Sequence, residues 1–443
     1  MLYFFLGFFL IIIQLFVTFT TNFNIWPELY FFSWLVQKGL VPYRDFFDHH
    51  GFLLYYLLSP FSNGANFSAF KIIYAFVLSC NLMLVLAIIK KFTRMSGFII
   101  GGILTIFLNF FVGENNFWYE TVITTFYLLV CFLLITKSFR YKTYTIGILI
   151  SLASFIKPTA GLVLFPLLLI KKDVRIIIAF VFCWLIALFY FFINGAFSQF
   201  FEGLFLFNEF LVKFYRPTFF SDWKFLFSSV ILLFFSIFLS RKSKKKKNYL
   251  VLLSFLIASL VFLSSGYDKT RIMPVFAFFS ILAVIPIGYR YRYTWQKSVF
   301  VSLLIVYMVF LGIKVFSHRV YLNSRRMSWQ DDLRVKKAAV FIKRLKARDD
   351  KIYIFSNHPE IYMELDQLPP TYFPLKFPLT ERYFSNYEKR LIEDLVKNKV
   401  LYIVIPKPEE EEYLILRDLK KFTTEKYSLI ENNGQLEIRS YSN

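Results

Sequence analysis

Cysteine is scarce in this chain, and acid is scarce beside base. It has three cysteines in 443 residues, and Cys80, Cys131 and Cys183 all sit inside apolar runs. They read as small core hydrophobes, which excludes a disulfide framework or a thiolate metal site. Asp and Glu number 29 against 51 Lys and Arg, for a net charge of +22. In a soluble protein that excess would suggest a polyanion partner, but its location points elsewhere. Up to residue 315 there are 28 basic and 10 acidic residues, and after it 23 and 19. The excess therefore belongs to the apolar part of the chain, where the rule that cytoplasmic connectors are basic explains it. The lysines at 244–247 lack an aromatic base-stacking platform and fit a topology anchor near anionic lipid, so no nucleic-acid partner is expected.

Hydrophobicity is what the chain has in excess. Hydrophobic residues make up 57% and aromatics 21%, with 60 phenylalanines. This lies beyond the roughly 45–50% apolar content of soluble domains. Apolar runs at 2–20, 69–89, 97–113, 118–136, 144–156, 158–170, 174–193, 223–240, 249–265, 272–288 and 298–316 approach the roughly 20 residues that cross a bilayer as a helix. The first lacks a charged leader and a small-residue cleavage site, so a retained helix is expected. Basic connectors recur at Lys90–Arg94, Lys137–Lys142, Lys171–Arg175, Arg241–Lys247 and Arg290–Lys297. Placing them in the cytoplasm requires 144–156 and 158–170 to be two short helices or a re-entrant hairpin broken at Lys157-Pro158. Of the ten early acids only Asp173 then faces the cytoplasm. The working face is expected to be extracytoplasmic.

Three of those acids fall in one loop after the first helix, Trp26 to Gly51. Glu28 is followed by Gly39-Leu40-Val41-Pro42-Tyr43-Arg44-Asp45-Phe46-Phe47-Asp48-His49-His50-Gly51. Carboxylates at a membrane face are costly and by default functional. Carboxylates beside Arg44, His49 and His50 suit deprotonation of a hydroxyl and stabilisation of a departing phosphate. The plainer alternative is a set of local caps and salt bridges between Asp45, Asp48 and Arg44. Adjacent histidines on a helix point apart, so metal-independent chemistry is expected, with a divalent ion as the lesser alternative. Glu114 and Glu120 flank a second outer turn around Trp118, where helix-dipole stabilisation competes with a substrate role. Lys157 could hold a lipid phosphate or snorkel to headgroups. Lys269 and Arg271 form a further cationic pair at an outer turn. The aromatic-rich stretch 194–222, with Glu202, Asn208 and Glu209, reads as a lid or as an interfacial helix.

The Gly39–Gly51 motif resembles the first periplasmic loop of GT-C membrane glycosyltransferases, the group that includes protein O-mannosyltransferases, the aminoarabinose transferase of lipid A and rhizobial lipopolysaccharide transferases. Glu114-Asn115-Asn116-Phe117-Trp118-Tyr119-Glu120 is similar to that family's second outer loop, and Ser154-Phe155-Ile156-Lys157-Pro158-Thr159-Ala160-Gly161 to its lysine-containing hairpin. The resemblance covers about residues 1–200. It implies a polytopic helical membrane protein of about 11 transmembrane helices, residues 1–320, followed by a small extracytoplasmic α/β domain, 321–443. It implies inverting transfer of a sugar from a polyprenyl-phosphate donor to a lipid, glycan or protein acceptor at the outer face of the cytoplasmic membrane. No cofactor is expected. Where the family often carries an Asp-Glu pair, this chain has Pro27-Glu28, so the base would be Glu28, then Asp48 or Asp45. Arg44, Lys157, Arg271 and Lys269 would bind donor phosphate. His49, His50, Tyr43, Glu114, Trp118 and Glu120 would bind substrate. The competing classes are a transporter or flippase of lipid-linked sugars, which calls for polar groups deep within the spans, and an inactive scaffold of the same fold.

Overall fold

The computed structural model describes residues 1–21, 23–62, 67–112, 115–137, 139–214, 246–263, 269–288, 339–344, 350–355, 359–375, 379–406, 416–432 and 436–442, with isolated positions near 300. The expected spans 223–240 and 298–316 and residue Glu114 lie outside these, and of Lys269 only the backbone is described. The chain divides into two compact units. One comprises Met1–Ile25, Lys71–Leu188 and Phe214–Ser328, and the other Trp26–Phe70, Phe189–Lys213 and Trp329–Asn443.

The first unit is helical. Its helices are α1 (Leu2–Thr20), most of α4 (Ser68–Ile89), α5 (Met95–Phe107), α6 (Tyr119–Ile135), α7 (Lys142–Ile156), α8 (Leu164–Lys171) and most of α9 (Arg175–Ile193), followed by Lys246–Leu260 and Met273–Val284. α1, α4 and α9 are long and apolar enough to cross a membrane. α1 shows why: it buries Leu10, Gln14 and Thr18 at a spacing of four and leaves Phe4, Phe8 and Phe16 exposed. A helix whose outward face is this apolar suits lipid rather than water. Close approach between helices uses small residues, as in many membrane bundles. A Cβ on Gly147 of α7 would stand 2.4 Å from the Ile176 carbonyl oxygen of α9. The break between α7 and α8 falls at Lys157, whose backbone is extended (φ −152°, ψ 117°) ahead of a 3₁₀ turn over Pro158–Val163. The residue before a proline avoids helical angles, so Lys-Pro ends α7 here. A two-residue parallel pairing joins β1 (Asn24–Ile25) to β2 (Asn116–Phe117).

The second unit combines α2 (Pro27–Gln37), α3 (Leu53–Leu58), α10 (Phe197–Phe201) and α11 (Asn208–Phe214) with a four-stranded sheet. The strands are β3 (Lys351–Ile354), β4 (Val400–Pro406), β5 (Tyr427–Asn432) and β6 (Leu436–Tyr441), in the order β3-β4-β6-β5. β3 and β4 are parallel, and the other two pairings are antiparallel. The parallel pair is linked through the amphipathic helix Tyr387–Lys397, which buries Tyr387, Leu391 and Leu395. The sheet segment grips the first loop. Phe47 N–H donates to the Tyr372 carbonyl at 2.7 Å, and Tyr372 O–H donates to the Tyr43 carbonyl at 2.8 Å. Tyr30 of α2 hydrogen-bonds Glu360, and Lys38 pairs with Asp366 at 2.6 Å.

Candidate functional site

The loop between α2 and α3 is built around fixed backbone. Pro27 opens α2, where its missing N–H costs nothing, and Glu28 occupies the first turn, favoured by the helix dipole. Gly39 closes the helix at φ +88°, a left-handed conformation glycine adopts freely. Tyr43 is fully buried at φ +68°, an uncommon conformation for so bulky a residue and a local store of strain. Phe191 and Phe200 hold its ring edge-to-face at 5.4 and 5.2 Å. Its hydroxyl donates to the His50 carbonyl at 2.5 Å.

The carbonyls of Asp48, His49 and His50 are each pinned from outside the tripeptide. A Cβ on Gly203, in the π-helical turn Glu202–Phe207, would stand 2.4 Å from the Asp48 oxygen, so only glycine permits this approach. Asn208 Nδ2 donates to the His49 oxygen at 2.6 Å. Tyr43 takes the third. Phe207 of the same turn meets the His49 ring at 5.5 Å between centroids. Fixing three successive peptide units in this way preorganises the side chains they carry.

The three loop carboxylates have different environments. Asp45 accepts two bonds from Arg44, 2.9 and 2.8 Å, and one from Val41 N–H, 2.7 Å. Partial burial resists its ionisation, but the guanidinium and the amide outweigh that and hold its pKa below the usual value. Asp48 is fully buried. Its Oδ2 accepts Tyr55 O–H at 2.5 Å, and its Oδ1 accepts His50 Nδ1–H at 3.0 Å. Glu28 is half-buried as a residue, and its Oε2 is buried with no hydrogen-bond partner among the described residues. Burial raises its pKa, opposed by His50 and its own backbone amide and reinforced by Asp48.

The two histidines do not point apart, contrary to the helical expectation. The segment is not helical, and the rings lie 4.0 Å apart with a 39° tilt. Asp48, His49 and His50 bring ligand atoms within 4.8 Å of one another. Tyr55 O–H and His50 Nδ1 already engage the two Asp48 oxygens, so a cation there would compete with both contacts. As they stand, Asp48 and His50 are in hydrogen-bond contact, and His49 Nδ1 lies 4.0 Å from Asp48 Oδ1.

The helical unit carries a separate charged group. Glu120, in the first turn of α6, is fully buried, and its Oε1 lies 2.7 Å from Lys157 Nζ. Trp118 is buried edge-on against Tyr119 at 4.6 Å. Arg271 is half-buried in the 3₁₀ turn Lys269–Ile272. Tyr55, Gly203, Asn208 and Tyr372 all shape the first-loop site and were not among the residues expected to form it.

No family model matches this chain, and no curated protein matches it. Two solved structures share its fold. One is the archaeal oligosaccharyltransferase AglB from Archaeoglobus fulgidus in complex with an inhibitory peptide and a dolichol-phosphate. It is 12% identical with a TM-score of 0.51, and the match covers 98% of this chain and 74% of that one. The other is the Archaeoglobus fulgidus oligosaccharyltransferase tethered by a disulfide to an acceptor peptide containing the NVT sequon. It gives the same identity and TM-score over 99% and 74% of the two chains. The similarity is one of fold.

Proposed function

We propose that this chain is a membrane glycosyltransferase that moves a sugar from a polyprenyl-phosphate donor to an acceptor hydroxyl at the outer face of the cytoplasmic membrane, inverting the anomeric centre in one displacement. Glu28 is the base. The observation that carries this choice is the contrast among the three loop carboxylates. Asp45 is spent on Arg44 and the Val41 amide, and Asp48 is sealed behind Tyr55 and His50. Glu28 alone of the three combines a buried oxygen with no hydrogen-bond partner among the described residues and a pKa raised by burial. A general base works best with its pKa near the working pH, and burial moves a carboxylate in that direction.

In this reading Glu28 takes the proton of the acceptor hydroxyl as the hydroxyl oxygen forms its bond to the anomeric carbon. The carbon–oxygen bond to the lipid phosphate breaks, and the phosphate leaves with the bonding electrons. Asp48 and Tyr55 hold His50 beside Glu28, where its field favours the ionised carboxylate. The dolichol-phosphate bound in one fold neighbour supports a lipid-linked donor in general terms, and the acceptor peptide tethered to the other supports an acceptor at the same kind of enzyme.

The test supplies radiolabelled polyprenyl-phosphate sugars to the purified protein in nanodiscs. Transfer or hydrolysis that Glu28→Gln abolishes supports the reading. Translocation of intact donor without turnover would instead support a flippase.

A further inference from the structure

The Glu120–Lys157 pair has a geometry that stability alone does not explain. Burying a carboxylate costs several kcal/mol, and a single ion pair returns that only when its remaining acceptor sites are also filled. Glu120 is fully buried, accepts one hydrogen bond from Lys157 Nζ at its Oε1 at 2.7 Å, and leaves Oε2 buried without a partner among the described residues. The two partners differ in access. The Lys157 side chain is 26% exposed and that of Glu120 0%. Glu120 therefore has no surface to offer a ligand, whereas the ammonium it grips does.

The surroundings fix the lysine further. Its backbone is extended between α7 and the 3₁₀ turn, and its carbonyl accepts Ala160 N–H at 2.8 Å. Tyr127 of α6 donates to the Ala160 carbonyl at 2.8 Å, tying that turn to the helix that carries Glu120. The ammonium lies 5.4 Å from the Phe262 ring centroid, a cation–π distance. A flexible four-carbon side chain is thus held at its base by the turn and at its tip by a carboxylate and a ring. The Lys–Glu pair of protein kinases uses the same device to aim an ammonium at nucleotide phosphates.

We infer that Glu120 is a positioning residue: it holds the Lys157 ammonium at a fixed point where it receives an oxygen of a phosphate ester. This differs from the direct substrate contact expected of Glu120 from sequence. The chemistry is shared by polyprenyl phosphate and free phosphate, and only the choice of the lipid rests on the function proposed above.

The experiment measures the dissociation constants of sugar-free polyprenyl phosphate and of inorganic phosphate for the full-length protein in nanodiscs. Lys157→Met is expected to weaken phosphate binding at least tenfold, and Glu120→Gln by about as much. Glu120→Asp should restore part of the loss. The neutral pair Glu120→Gln with Lys157→Met leaves no charge unpaired, so it keeps the fold where Glu120→Gln alone fails to. It should bind no worse than Lys157→Met, because a positioning residue has nothing to position once the lysine is gone. In turnover, Glu120→Gln should raise the KM for donor far more than it lowers kcat. A purely structural pair would instead lower the Tm and leave the affinity of the folded protein unchanged.

Binding by Glu120→Gln or by the neutral pair within twofold of wild type overturns the inference, as does wild-type protein that binds neither probe. Binding of inorganic phosphate but not of the lipid keeps the pair as an anion site and sinks the polyprenyl donor. Lipid binding that follows the expected variant order, without sugar transfer, sinks the glycosyltransferase reading and leaves the inference standing.

Discussion

The two charged groups of this molecule are built by opposite means. In the first loop the partners are neighbours in sequence. Arg44 pairs with the adjacent Asp45, and Asp48 is bonded by His50 and Tyr55, two and seven residues away. In the helical unit Glu120 and Lys157 are 37 residues apart, one in the first turn of α6 and the other at the break after α7. The loop obtains rigidity from backbone clamps, and the helical pair obtains it from the bundle. The first arrangement leaves Glu28 with an oxygen that has no hydrogen-bond partner among the described residues, and the second leaves the Lys157 side chain partly exposed. In both, a fully buried carboxylate serves the exposed group rather than acting itself.

That comparison breaks first at Glu28. Glu28→Gln should lower transfer by roughly a thousandfold, within the range general-base catalysis supplies, while the protein stays folded. A variant that keeps wild-type transfer rates removes Glu28 as base. Burial also sets a pH dependence. The raised pKa means the base form appears only above the ordinary carboxylate range, so activity should climb with pH through that raised value. Stability should run the other way. A carboxyl whose folded pKa is raised contributes stability fully present below its unfolded pKa, and this is lost as pH rises through the folded pKa. Thermal melts of wild type and Glu28→Gln across that window should converge at low pH and separate above it, with the variant more stable.

Next in size is the support for His50. Asp48→Asn exchanges two bonds to a buried charged acceptor for bonds to a neutral one, and such bonds are worth about 1.5–3 kcal/mol each. Transfer should fall by roughly a hundredfold with a clear drop in Tm. Tyr55→Phe deletes one of the two bonds, so its losses should be smaller on both measures. Equal losses for the two variants would mean that Tyr55, not Asp48, organises the loop.

The difference in construction also explains what could be read in advance. Apolar run length and basic connectors locate α1, α4 and α9, because both depend only on local composition. Glu28, Asp45 and Asp48 stood out because acids are rare there and sit close together. Their separate environments did not, since those depend on which atoms the fold seals. Tyr55 lies seven residues beyond Asp48, in the first short helix after the loop, and its spacing was the one local hint. Gly203, Asn208 and Tyr372 reach the loop from 150 or more residues away, and no composition signal links them to it. The expectation that His49 and His50 diverge failed because it assumed a helix where the backbone is irregular.

Two glycines sharpen the contrast between the units. Gly203→Ala and Gly147→Ala each place a Cβ 2.4 Å from a backbone oxygen, that of Asp48 in the loop unit and that of Ile176 in the helical unit. Overpacking of this kind costs about 1–3 kcal/mol, so both should lower Tm by similar amounts. Gly203→Ala should also cost roughly tenfold or more in transfer, because the displaced atom carries Asp48, whereas Gly147→Ala should leave the activity of its folded fraction intact. Equal activity losses would show that the loop is no more finely set than the bundle.

The smallest effect belongs to the residue that looks most charged. Arg44 and Asp45 form a two-pronged ion pair, but the Arg44 side chain is 40% exposed and that of Asp45 24%. Exposed pairs contribute about 0–1 kcal/mol. Asp45→Asn keeps an oxygen for the Val41 amide and gives up the charge held against Arg44. Transfer should stay within about threefold of wild type and Tm should hardly move. The discriminating feature is acid sensitivity. The pKa of Asp45 is held low, so its contribution to stability is present above the unfolded value and is lost as pH falls through the folded one. Melts of Asp45→Asn should therefore match wild type at the acid end and fall slightly below it at neutral pH. A hundredfold loss of transfer in this variant would move the base from Glu28 to Asp45 and make Arg44, not burial, the group that tunes it.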